Sequence, residues 1–126
     1  MMRLSAKNGT FAGIPMLRLS GELDPATQAE LDATIAQFAL AGDSLILDVR
    51  DVAYADSMSL AAIISLHKHV SRRGGVLAIV CRHEGMGRLF RMTRLVGVLN
   101  LLDDLDGAAH FVSTAGAGAF VGHGVA

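Results

Sequence analysis

A second cysteine, an excess of either charge and a long apolar run are all missing from this chain of 126 residues. Cys81 stands alone, so no internal disulfide can staple the fold, and a reducing compartment is the simplest setting. The 11 basic and 12 acidic side chains leave a net charge of -1. That balance gives no bulk attraction to nucleic acid or anionic lipid. Met1 to Lys7 lacks the apolar core of a secretory signal. The longest apolar runs are too short, and too often broken by charge, to span a bilayer. A cytoplasmic protein with no nucleic-acid partner and no membrane insertion is expected.

Motifs for cofactors and metals are missing too. No P-loop lysine motif is present. Gly85-Met86-Gly87 begins like a dinucleotide fingerprint, but Phe90 stands where the third glycine belongs, and Gly116-Ala117-Gly118 has the wrong spacing. His67 and His69 are two positions apart, so on a helix they point to different sides and cannot share a metal; His83-Glu84 brings no further ligands. Cys81 reads as a buried residue at a strand end. No acid, base and nucleophile converge in the sequence, so neither an enzyme nor a cofactor is expected.

What the chain does have is 52% apolar residues, enough to bury a core without disulfides or metals. Asn8-Gly9 is a hairpin-turn signal between two short strands. Asp24-Pro25 predicts the start of a helix that runs to about Ala41, with Asp24 as cap and Pro25 at the first helical position. Leu31, Ile35 and Phe38 recur along it at helical spacing, and Gly42 stops it. Ser44 to Val49 predicts a strand buried on both faces. A second helix follows Asp56 and ends near Arg73, before Gly74-Gly75. Val76 to Val80 predicts a strand, Glu84 to Leu95 a helix, Val98 to Leu102 a strand, and Asp103 to Ser113 a last helix. The order β-β-α-β-α-β-α-β-α predicts a single α/β domain over 1–113, with a mixed, mostly parallel sheet behind an opening hairpin. The Gly/Ala-rich tail over 114–126 is expected to be loose.

The second helix carries the informative pattern. At 100° per residue, Leu60, Ile63, Ile64, His67, Val70 and Ser71 share one side, assigned to the core. The other side holds Met58, Ala61, Ala62, Ser65 and His69, small and uncharged until Lys68 and Arg72 at the far end. Either a partner or another segment of the same chain would cover such a face. Ser57 falls at the amino end of this helix, where backbone N–H groups lack acceptors and the dipole favours an anion. Helix capping by Asp56 or Ser57 and a regulated serine both fit that position. On the third helix, Arg88, Arg91 and Arg94 recur every three residues as a solvated basic side, opposite Met86, Leu89, Phe90 and Thr93.

Three stretches resemble the STAS domain family, in its anti-sigma factor antagonist type. They are Leu17-Arg18-Leu19-Ser20-Gly21-Glu22-Leu23-Asp24, the run from Leu45 to the Asp56-Ser57 pair, and Gly74-Gly75-Val76-Leu77-Ala78-Ile79-Val80 with Arg88-Leu89-Phe90 and Val96-Gly97-Val98. The resemblance implies a STAS-like fold, a sheet flanked by helices. It also implies that the unphosphorylated protein binds an anti-sigma factor serine kinase and so releases a sigma factor. Phosphorylation of Ser57 would end that interaction and a phosphatase would restore it. Asp24 and Asp56 match the acidic positions beside the acceptor. Asp24, Asp56, Ser57, Met58, Ala61, Ala62 and Ser65 are the expected partner-binding residues. Where the family has Ser or Thr and then Gly after the acceptor, this chain has Met58 and Ser59, which makes Ser59 an alternative acceptor. A non-switching STAS accessory, as a scaffold in a sensory complex or a subunit of a membrane transport system, is the other implied role.

Overall fold

A computed structural model of the chain describes residues 3–94 and 97–125, with side chains through residue 115. Strand β1 (Ser5–Phe11) pairs antiparallel with β2 (Ile14–Leu23) through seven residue pairs, from Ser5 with Ser20 to Phe11 with Ile14. The turn is Ala12-Gly13, with φ of 53° and 79°, the two positive values of a type I′ hairpin. Asn8-Gly9, the predicted turn, lies inside β1 opposite Leu17 and Met16. A turn there would have cut the ladder short, and the longer pairing overrides the local preference.

Strands β3 (Leu45–Ala55), β4 (Leu77–Val80) and β5 (Asn100–Leu102) follow in parallel, and the sheet order is β1-β2-β3-β4-β5. Helices α1 (Gln28–Phe38), α2 (Ser57–Arg72), α3 (Met86–Met92) and α4 (Leu105–Val125) complete the α/β domain. The apolar layer divides in two. Leu17, Leu19, Leu47 and Ile79 face Leu31, Phe38, Ile63, Val70 and Phe90 of α1, α2 and α3. Ile46, Ala78 and Val80 face Ala108 and Val112 of α4 on the other side. Alternation along β3 and β4 thus supplies both layers, which is why these strands read as continuous apolar runs. A fully buried side chain of this size stabilises the fold by about 1.5–3 kcal/mol before entropic costs.

Several predicted boundaries move. β3 continues to Ala55 instead of ending at Val49, because Ser20, Gly21, Glu22 and Leu23 of β2 pair with Asp51, Val52, Tyr54 and Ala55 across two register shifts. Gly21 permits that run: its φ is +96°, and a Cβ there would lie 2.0 Å from the carbonyl oxygen of Arg3. α1 starts at Gln28, not at Asp24-Pro25, and ends at Phe38, not Ala41. β4 and β5 begin one and two residues later than predicted, at Leu77 and Asn100. α3 is confined to Met86–Met92; the predicted end at Leu95 and the Val96 step lie outside the described residues. Arg94 therefore stands beyond α3, with φ of 61°, and is not part of a three-arginine helix side. α4 (Leu105–Val125) extends past the predicted helix end at Ser113. No proline interrupts it; Ala126 lies outside the described residues.

Two arginine arrangements join neighbouring elements, one the ends of α1 and α2 and the other β2 and β3. Arg73, at the end of α2, donates to the carbonyl oxygens of Ala39 and Gly42 beyond α1. Asp48, 1% exposed, accepts from Arg18 Nε at 3.1 Å and from Arg50 Nε and Nη2 at 3.0 Å each. Burial pushes its carboxyl up, but the hydrogen bonds and charges of Arg50, with the charge of Arg18, outweigh this and hold it below the ordinary carboxylate value.

Candidate partner-binding site

The carboxyl ends of β2 and β3 lie side by side, because Leu23 pairs with Ala55. Each strand releases an aspartate at its end. Asp24 closes a turn: its carbonyl oxygen accepts from Thr27 N–H at 3.0 Å and its Oδ1 from the same N–H at 3.2 Å. Thr27 Oγ1 donates to the Glu22 carbonyl oxygen at 3.0 Å. The predicted cap of the first helix is thus a turn residue that sets the helix entry, while Thr27 is the residue preceding α1. Asp56 is the N-cap of α2, extended at φ -96° and ψ 178°, with Oδ1 accepting from Ser59 N–H at 2.9 Å. Of the two capping candidates, Asp56 serves, which leaves the Ser57 hydroxyl uncommitted to that role.

Ser57 is exposed at the first position of α2 and Met58 beside it is 63% exposed. The unpaired N–H groups of that first turn and the helix dipole form a field that accepts an anion. Ser59 is different. It is fully buried, and its Oγ lies 3.3 Å from Gln28 Oε1, to which it donates. Gln28 Nε2 in turn donates to Asp32 Oδ1 at 2.9 Å. Ser57 is thus the open hydroxyl of the two, while the Ser59 side chain fills space between α1 and α2 that a glycine would leave open.

Ala61 and Ser65 are exposed, and Ala62 is half-buried against the core. The buried arc of α2 is rotated relative to the predicted one. Ser59, Leu60, Ile63, Leu66 and Val70 are buried, Ile64 and His67 are half-buried and Ser71 is exposed. Ser59 bonds to Gln28 of α1, and Leu66 lies with Ile35 and Ala39 of the α1 side. Burial also pushes the His67 imidazole down, and its Nδ1 has no partner among the described residues. His69, exposed, lies beside Ser65 along a cleft between α1 and α2.

Sequence reasoning missed Thr27, Gln28 and Tyr54. Tyr54 is 52% exposed two residues before the Asp56 cap, and it borders a depression of about 280 Å³ shared with Leu89 and Met92 of α3. Its exposed place near the Asp56 turn follows from the extension of β3, which no motif announced. Among the described residues, no group of three or more His, Cys, Asp or Glu side chains could hold a metal, and no helix is long and apolar enough to cross a membrane. Arg91 is held by His83, through Nδ1 and the carbonyl oxygen at 3.0 Å each. Cys81 is buried, with its thiol pushed up to about 11 by burial and by the Asp103 charge.

Comparison with known proteins bears on this geometry. The family model described as STAS domain matches residues 8–108. The anti-sigma F factor antagonist of Paenibacillus polymyxa is 25% identical over 107 residues, which cover 82% of this chain and 90% of that protein. The crystal structure of an anti-sigma factor antagonist from Mycobacterium paratuberculosis has a TM-score of 0.80 at 21% identity, covering 88% of this chain and 95% of that one. The antagonist SpoIIAA of Bacillus shares the fold in its unphosphorylated form (TM-score 0.68, 15% identity, 85% of this chain and 94% of that one). Its phosphorylated form gives a TM-score of 0.59 at 15% identity, covering 81% and 93%.

Proposed function

The chain belongs to the STAS domain family, and on that premise we propose that it is an anti-sigma factor antagonist: a cytoplasmic protein that binds an anti-sigma serine kinase and so frees a sigma factor. The exposed hydroxyl of Ser57 at the amino end of α2, beside an uncharged outward face, carries the reading. The relatives named as antagonists, one of them solved with and without phosphate, support it. In this reading the chain is a substrate and a ligand, and catalysis belongs to the kinase and to a phosphatase.

The physics of the switch is local. A phosphoserine carries about -1.5 to -2 charges at neutral pH. The first turn of α2 accommodates that charge, so the domain stays folded. The partner meets a bulky, hydrated group beside Met58, flanked by Asp24 and Asp56, and must desolvate it to remain in place. Affinity falls through exclusion, with no change of fold.

The test is binding of the chain to the anti-sigma kinases of the same genome, repeated with Ser57→Ala and Ser57→Asp. Alanine should bind as the native chain does and aspartate much more weakly. Mass spectrometry after incubation with kinase and ATP should find phosphate on Ser57. Equal binding by all three proteins would favour the scaffold role instead.

A further inference from the structure

The cleft between α1 and α2 has a volume of about 440 Å³. Its floor is apolar, from Ile35, Ala39 and Leu66, and its walls are small, from Ala36, Ala62 and Ser65. At one end Leu40 stands 81% exposed, an apolar side chain of a size that folding normally hides. No described element of this chain covers the cleft: α3 packs with β3, and α4 lies on the other side of the sheet. Met58, Ala62, Ser65 and His69 follow one another at helical spacing, so the cleft is continuous with the surface at Ser57.

Resting on the antagonist reading, we infer that this cleft seats an apolar helix of the same anti-sigma partner, with a lysine or arginine of that helix meeting Asp32. Small residues on both walls let a helix backbone approach closely, and a helix laid between two others is a common mode of peptide recognition. Among the described residues that line the cleft, Asp32 is the one acidic side chain, which sets the charge of the complementary group. The seat supplies affinity through apolar burial, while the serine next to its mouth supplies control. Met58 lies one helical turn before Ala62, so a partner that fills the cleft and also covers the amino end of α2 meets a phosphate on Ser57 even though the apolar seat is unchanged.

The test is calorimetric titration of the full chain with the anti-sigma kinase encoded in the same genome, using Ala36→Arg, Ser65→Arg, Asp32→Lys and Ser57→Asp. Ala36, Ser65 and Asp32 are exposed, so these variants should keep the native melting temperature. Ala36→Arg and Ser65→Arg should each weaken binding about tenfold or more, and Asp32→Lys about fivefold. Amide resonances of Ala39 and Leu66 in the native chain should shift on titration. Native-like binding by Ala36→Arg and Ser65→Arg, with weak binding by Ser57→Asp, would overturn the cleft and leave the antagonist reading standing. Weak binding by the cleft variants with native binding by Ser57→Asp would support the cleft and overturn the switch. A native chain that binds no anti-sigma kinase would overturn both.

Discussion

The backbone N–H of Asp56 donates to the carbonyl oxygen of Leu23 at 3.0 Å. That bond fastens the end of β3 to the end of β2 and brings two acidic turns together at the mouth of α2. Asp56 is fixed a second time through its carboxylate on Ser59 N–H. Replacing Asp56 by alanine keeps the first bond and removes the second. The expected loss is about 1 kcal/mol of unfolding free energy in a urea titration, with Asp56→Asn close to native. Ser57→Ala, at an exposed position, should stay within about 0.5 kcal/mol of native.

Asp48 should make stability depend on acid. Its folded carboxyl lies below its ordinary value, so its contribution is complete above the unfolded value of about 4 and is lost as pH falls through the folded one. Asp48→Asn removes charged hydrogen bonds from Arg18 and Arg50 and should cost about 1.5–3 kcal/mol at neutral pH. Both arginines are partly exposed and can rehydrate, which keeps the loss below that of a fully buried pair. The gap between native and variant should narrow below about pH 4 in urea titrations run across the acid range.

Ala12 holds a backbone conformation that alanine rarely takes. Asparagine accepts it more readily, and Asn-Gly is the preferred type I′ pair. Ala12 is exposed, so nothing is lost by the exchange. Ala12→Asn should raise stability by about 0.5–1 kcal/mol, read as a higher melting temperature.

Cys81 should be a slow nucleophile. With its thiol pushed up to about 11, little thiolate exists at pH 8, and the side chain is buried. A disulfide reagent should modify the native chain far more slowly than the chain in denaturant, in which Cys81 approaches its ordinary value of about 8.5.

Element types were legible in the sequence because the apolar periods were strong: Leu31, Ile35 and Phe38 are buried as their spacing predicts. The Asp56-Ser57 start of α2 was legible for a different reason: capping chemistry is local. The hairpin turn was not, because a ladder of seven pairs outweighs the preference of Asn8-Gly9. Neither was the burial of Ser59, which depends on Gln28, 31 positions away. Asp48 likewise resembles any strand-end acid until the pairing of β2 with β3 places Arg18 opposite it.

α4 occupies the side of the sheet away from α1, α2 and α3. A dye or affinity handle joined through a cysteine placed at the exposed Ser113 of α4 therefore sits behind the molecule. Attachment at that point offers a way to immobilise or light up the domain while its front remains open to whatever it captures.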